Sequence, residues 1–460
     1  SLPQSGIIFA VHGSPFAGNR GTAKLRGMGR FIDDLCENVL SVKPSTPEQR
    51  NLLGRAIADT AVVAAAGFVE PVVRNALAAY AGKAARLWSG EPCESREAAV
   101  MLNAIASHAL DYDDVYLESA THPSTVIVPA VLDLDRPIDP DQLFPAVAAG
   151  LIAARAVNAR LGPGHYARGW HGTGTVGAFA AAAAAGRLMR LNADQLRAAF
   201  ALAAAMSGGL HVNFSTMAKP CQAGFAAAAG TRAARLAAAG VTAASDVFAA
   251  TGYPALYGDP EREVHQADFA LQPEQIAVKL YPCCYGAARL IGIALDAREQ
   301  VGAVFSDPRV TARLVVPQGS LQVLRFHRPK TGLEAKFSGS FATVVALIDG
   351  PPTLASFTDA AVARPDLKSA MERLVIEEDP AQPSGGDIAY GTVRLQLFES
   401  GRCIVDLTRS AMPGSSEDPV TVAQLRTKAK ACLDRFEAAT GQPLPLLSRL
   451  RAVPEIAQWL

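Results

Sequence analysis

The 460-residue chain is half hydrophobic, has few aromatic residues and carries a formal net charge of zero. That length points to two domains rather than one small core, and the neutral balance argues against nucleic acid or an anionic membrane as the main partner. Positive charge used for binding is therefore expected to be local, inside a pocket. Seven cysteines, an odd number spread from Cys36 to Cys432, make no disulfide framework and fit a reducing cytoplasm. The one close pair, Cys283-Cys284, has neither CxxC spacing nor a His partner at metal-ligand spacing and makes a poor zinc site.

Residues 1–30 differ from the rest. Gly6 to Val11 is apolar but too short to span a bilayer and lacks a basic start, and His12 to Arg30 is rich in turn formers. We expect a disordered extension, and the missing initiator Met suggests processing or a remnant of expression. From Phe31 the chain becomes helical. Ser45-Thr46-Pro47-Glu48 supplies a cap, a first-turn Pro and an acid at the positive dipole end, and Asn192-Ala-Asp194 before Gln195 is another start. Ala-rich texture over Leu52–Gly67, Val72–Ala85, Ala98–Ala109, Phe144–Ala159, Ala178–Leu188, Ala193–Met206 and Gln222–Ala239 predicts closely packed helices, with Gly186, Gly209 and Gly240 at ends or crossings.

After Ile276 the texture changes. Strands are predicted at Leu314–Val316, Gln322–Phe326, Phe341–Val345, Val393–Leu397 and Cys403–Leu407, with helices at Ala287–Arg298 and around Ala360–Ile376. Helices from Val422 to Ala439 and near the terminus close the chain. The fold class expected is mainly α, a large all-helical domain (31–276, with 420–460 packing back on it) plus a smaller α+β lid domain (277–419).

Chemistry concentrates in a few stretches. His108-Ala-Leu-Asp111-Tyr112-Asp113-Asp114-Val115, followed by Thr121-His122-Pro123-Ser124, sets three carboxylates and two histidines between apolar flanks. Buried groups of this kind must be paired or shifted in pKa, the conditions that make an acid or base; the competing reading is an acidic helix end with surface histidines. Gly164 to Gly177 leads glycines and threonines into a helix, offering free N–H groups to a carboxylate with His171 placed to exchange protons, although glycines also serve packing. It lacks the strand, spacing and downstream acid of a dinucleotide site. Lys219, within Met217-Ala218-Lys219-Pro220, is a lone Lys among apolar neighbours, suited to hold a substrate carboxylate or act as a base, against a snorkelling surface Lys. Lys279-Leu-Tyr281-Pro282-Cys283-Cys284 sits where the domains should meet; Cys284 reads as an acid or base, or as inert packing.

Taken in order, His108–Asp114, His122-Pro-Ser, Gly169-Trp-His171 with Thr-Gly-Thr, Met217-Ala-Lys219-Pro, Tyr281-Pro-Cys-Cys and Thr331-Gly-Leu-Glu-Ala-Lys336-Phe-Ser resemble the MmgE/PrpD family over about residues 31–435. That family includes 2-methylcitrate dehydratase, cis-aconitate decarboxylase and iminodisuccinate epimerase. The resemblance implies a helical domain with an α+β lid, a homodimer, no metal or organic cofactor, and a site in the interdomain cleft. It carries catalytic or substrate-contacting roles onto Asp111, His122, His171, Lys219 and Lys279, while Cys284 falls where the decarboxylase branch has a histidine.

There are departures. Val115 replaces a usual Thr, Ala218 a usual Thr, and Tyr285-Gly-Ala-Ala-Arg289 lacks the His often found after the paired cysteines. The expectation is a cofactor-independent lyase or isomerase that abstracts a proton next to a carboxylate of a small di- or tricarboxylate, first a 2-methylcitrate dehydratase-like hydro-lyase. The alternatives are an epimerase or decarboxylase of a related acid and an inactive organic-acid-binding dimer.

Overall fold

Helix limits in this chain follow local capping chemistry. The computed structural model describes residues 31–384 and 389–460; the reading of residues 1–30 lies outside the described residues. Helix α1 (Phe31–Ser41) precedes α2 (Pro47–Gly67), where the Thr46 hydroxyl accepts from the Gln49 N–H and Pro47 occupies the first turn. Ser95 caps α3 (Arg96–His108) in the same way. Next come α4 (Ser124–Val131), α5 (Pro140–Leu161) and α6 (Gly172–Leu188), then α7 (Ala193–Met206), opened by a reciprocal Asn192/Gln195 capping box, and α8 (Ala218–Ala238).

The small side chains explain the packing. Helix α6 is buried continuously from Gly172 to Gly186, with α5 and α8 crossing it and α8 lying also on α3 and α7. Helix α5 is long and apolar enough to cross a bilayer by length and composition, but 72% of that window is buried inside the fold. It is here a core helix.

Two short segments, β1 (Val115–Tyr116) and β2 (Ile276–Ala277), pair antiparallel with Val115 opposite Ala277. This ladder ties the acidic stretch after α3 to the chain entering the second core. Helix α9 (Ala288–Val301) then leads to β3 (Val310–Gln318), α10 (Gly339–Ile348), β4 (Leu374–Pro383), β5 (Val393–Glu399) and β6 (Arg402–Arg409). The sheet order is β4-β3-β5-β6, with β3 parallel to β4 and the other pairs antiparallel. Val310, Ala312, Leu314, Val393, Leu395 and Leu397 face a second hydrophobic core that includes buried residues of α9 and α10. Helix α11 (Val422–Thr440) returns to pack on α2, and Gly441 ends it in the left-handed conformation.

The overall class is as expected, mainly α with a smaller sheet-containing region, but four local predictions fail. Phe341–Val345 lies in α10, not a strand: Ser338 caps the helix, and an apolar run buried on every side carries no period to separate helix from strand. Gln322–Phe326 is no strand either; Ser320–Val323 form one helical turn, and Arg325 makes only an isolated bridge to Ser338. The helix expected around Ala360–Ile376 breaks into Asp359–Ala363 and Pro365–Glu372, after which β4 begins. Pro365 starts the second piece, and β4 hides as a polar edge strand whose partner lies far away in sequence. The helical texture over Val72–Ala85 likewise stops at Ala79.

Gly230 marks a close crossing of α8 on α6: a Cβ there would overlap the Ala178 carbonyl and the Ala182 N–H of α6. Gly230→Ala is therefore expected to cost about 1–3 kcal/mol, read as a lower thermal midpoint. Gly164→Ala, whose Cβ meets nothing, is expected to stay within about 0.5 kcal/mol of the parent.

Candidate active site

Four chain segments converge at one buried cluster. The turn after α3 brings Asp111, Asp113 and Asp114 beside His108 at the helix end; His122 precedes α4; His171 and Lys219 stand at the starts of α6 and α8; Lys279 and Cys284 follow β2. None of these nine side chains is more than 9% exposed. Two helix N-termini thus face the same space, and their dipoles favour negative charge there.

Asp111 is the centre. It adopts φ +53°, an uncommon conformation for a residue with a Cβ. Lys219 Nζ lies 2.9 Å from its Oδ2, while Lys279 Nζ contacts Oδ1 and donates to the Asp111 carbonyl at 3.0 Å. Burial alone would raise the Asp111 carboxyl, but the ammonium groups of Lys219 and Lys279 overcome it and hold it well below the usual carboxylate range. An ammonium has three N–H groups. Lys279 commits two to Asp111, whereas Lys219 meets Oδ2 as an ion pair without hydrogen-bond geometry, so Lys219, flanked at 5.3 Å by the rings of Phe214 and Phe337, keeps the greater free donor capacity.

The imidazoles are arranged as proton acceptors. His122 Nδ1 lies 2.8 Å from the Asp114 carbonyl and 3.3 Å from Asp113 Oδ2. Both neighbours only accept, which assigns the proton to Nδ1 and leaves Nε2 as a lone pair, 3.9 Å from Asp111 Oδ1. His171 Nδ1 is 2.7 Å from Gln222 Oε1, and its Nε2 is buried without a hydrogen-bond partner, as is that of His108. Burial, reinforced by Lys279, pushes His122 down to about 4; burial, with His108 and Lys219, takes His171 well below its usual range. Asp113 is the opposite case, held ionised against burial by His108 and His122. Burial raises Asp114 to about 7 despite its bonds from Ser124. Cys284 lines the cluster with its thiol pushed up, first by burial and then by Asp111, so it stays protonated at neutral pH.

His108, Asp113 and His122 are the set, among the described residues, whose donor atoms lie within 4.8 Å of one another as metal ligands would. Their Nδ1 atoms are already engaged, His108 with Asp113 and His122 with Asp113 and the Asp114 carbonyl. Gly164 and Gly169 before α6 face open space, whereas within its first turn a glycine serves packing: a Cβ at Gly174 would overlap the Gly208 carbonyl. That approach lets the His171 N–H donate to the Gly209 carbonyl at 2.9 Å.

The MmgE/PrpD N-terminal domain matches residues 33–262 and the MmgE/PrpD C-terminal domain residues 281–442. The chain belongs to the MmgE/PrpD family. This MmgE/PrpD chain is 24% identical over 364 residues to the cis-aconitate decarboxylase of Mus musculus, covering 74% of this chain and 73% of that protein. It is 24% identical to the Homo sapiens enzyme of the same name, over 72% of each chain. A cis-aconitate decarboxylase of Aspergillus terreus is 23% identical over 79% of this chain and 81% of its own.

All six residues singled out from the sequence of this MmgE/PrpD protein (Asp111, His122, His171, Lys219, Lys279 and Cys284) lie in the one cluster. Sequence reading missed several supporting groups. Gln222, one turn after Lys219, accepts a hydrogen bond from His171 Nδ1 through Oε1. Lys428 and Asp59 form a buried pair at 2.7 Å behind the site. A signal for both was present: Lys428 falls on the buried stripe Leu425, Ala429, Cys432 and Phe436 of α11, and Asp59 sits in the fully buried part of α2.

These shifts set an acid sensitivity. His122, His165 and His211 have folded values of about 4 against an ordinary 6.5, so the unfolded chain takes up protons first. Their contribution is full above pH 6.5 and is lost as the pH falls toward 4. Asp114, raised from 3.8 to about 7, runs the other way and offsets part of this. The expected outcome is a thermal midpoint that drops between pH 6.5 and 4; a flat or rising midpoint would contradict burial of neutral imidazoles.

Proposed function

We propose that this MmgE/PrpD protein is a lyase for a small di- or tricarboxylate and moves a proton at a carbon next to a carboxylate. The observation that carries this reading is the meeting of Lys219 and Lys279 on one buried carboxylate, beside an imidazole whose Nε2 bears no proton. Lys219, with N–H groups to spare, anchors a substrate carboxylate. Lys279 and the two helix N-termini stabilise negative charge that spreads into that carboxylate during reaction. His122 carries the proton, with His171 as the second basic nitrogen.

The activity named for the relatives, cis-aconitate decarboxylation, is the first reaction to test. There the bond to the departing carboxylate breaks, carbon dioxide leaves, the electron pair stays in the conjugated acid, and a proton fills the vacated carbon. A second reading is a hydro-lyase of the 2-methylcitrate type. It is favoured by the Cys284 thiol, which stays protonated in the same cluster as the His122 Nε2 lone pair, an acid and a base of the kind needed to release water. A cytoplasmic homodimer, with residues 277–419 acting as a lid, belongs to the same proposal; light scattering tests the dimer.

The experiment is proton NMR in deuterated water with cis-aconitate, 2-methylcitrate, citrate and iminodisuccinate. Loss of carbon dioxide with deuterium incorporation supports the decarboxylase, a new alkene signal the dehydratase, and inversion alone an epimerase. His122→Ala is expected to lower kcat by about 10²–10⁴-fold while ligand affinity stays within a few-fold. Absence of exchange and turnover with every acid would overturn the lyase reading in favour of an organic-acid-binding protein.

A further inference from the structure

Three consecutive carbonyls, those of Leu110, Asp111 and Tyr112, each accept from a different buried lysine. Lys336 Nζ donates to Leu110 O at 2.5 Å, Lys279 Nζ to Asp111 O at 3.0 Å and Lys428 Nζ to Tyr112 O at 2.8 Å. The same outer two lysines reach the segment that bears Lys279: Lys428 donates to the Lys279 carbonyl at 2.9 Å, and Lys336 lies 3.3 Å from that of Pro282. Between them the Tyr112 hydroxyl donates to Leu280 O at 3.1 Å. Lys336 is 6% and Lys428 3% exposed, and Lys428 is neutralised by Asp59.

Both lysines come from far along the chain, yet they lace together the two short segments that hold the Asp111 carboxylate and the Lys279 ammonium. We propose that Lys336 and Lys428 are positioning residues for the reaction at Asp111: they hold residues 110–112 and 279–282 in register, so that the left-handed Asp111 presents its carboxylate to Lys279 and Lys219. The assignment of a reaction rests on the lyase reading; the holding of the two segments does not.

Lys336 gives the cleaner test, because its loss leaves no partner carboxylate stranded. Removing Lys428 alone would strand Asp59, so its counterpart is the double variant Asp59→Asn/Lys428→Met. For Lys336→Met we expect kcat to fall by roughly 10–100-fold, by the loss that a small misplacement of reacting groups produces, with a smaller change in KM. Amide hydrogen exchange in a peptide covering residues 108–116 should quicken at least about tenfold, while peptides from α5 and α6 keep their protection.

A pH profile adds a readout that plain destabilisation would not move. Burial lowers Lys336 to about 8, against the opposing pull of Glu70, Asp111 and Cys283 and with the repulsion of Lys219. Turnover by the parent protein should therefore decline as the pH rises through about 8, and Lys336→Met should lack that limb. The double variant should show the same loss of exchange protection at 108–116.

A folded Lys336→Met protein with parental protection at residues 108–116, parental kcat and an unchanged alkaline limb would overturn the proposal. If the parent turns over none of the carboxylates, the lyase reading fails on its own; exchange at 108–116 still decides whether these lysines hold the turn.

Discussion

Everything at this site depends on an ionised carboxylate kept out of water. The Asp111 charge is tolerated because Lys219 and Lys279 reach it directly, and those lysines are tolerated because Asp111 is there. Removing one member of such a buried set leaves an uncompensated charge, which typically costs about 3–5 kcal/mol. The remaining polar groups divide the same burden. Asp113 is balanced by the Nδ1 atoms of His108 and His122, and Asp59 by Lys428. The imidazoles avoid adding cations by staying neutral. The cluster is thus a set of mutually dependent charges assembled from segments that meet only when the chain is folded.

Architecture supplies the meeting. The two-residue ladder between Val115 and Ala277 sets the acidic turn against the chain that bears Lys279. Alanine and glycine let α6 and α8 come close enough for Gln222 of α8 to accept a hydrogen bond from His171 at the start of α6. The second core adds Phe337 over Lys219 and Lys336 beneath the turn. Neither core alone encloses the cluster.

What could be read from sequence follows from how local the deciding physics is. Thr46, Asn192 and Gln195 cap their helices through bonds within one turn, so residue identity suffices to mark those starts. Charged residues set in apolar surroundings, such as Asp111 and Lys219, were visible because such sequence leaves them nowhere dry to go unpaired. Lys336 stood inside a motif yet gave no hint of its partners, since a backbone carbonyl 226 residues away leaves no trace in composition. The same limit hid β4, whose acids and prolines resemble a loop until β3 pairs with it. It also misassigned Phe341–Val345, where full burial erased the period and only the Ser338 cap distinguished helix from strand.

The charge balance also bears on when proton transfer is possible. On the lyase reading, His122 becomes an imidazolium on accepting a proton, close to Lys279 and shielded from solvent; burial and that ammonium are the two largest influences holding its affinity for protons low. A substrate that brings two or three carboxylates changes the sum. One carboxylate takes the free N–H groups of Lys219, and the added negative charge favours protonation of His122 at the moment when a proton is to be moved. The empty site is then a poor base and the occupied site a better one. The link between binding and basicity arises from electrostatics alone. On the proposed lyase reading it favours polycarboxylates over monocarboxylates, because a single negative charge is already answered by Lys219 and leaves little to offset a new imidazolium.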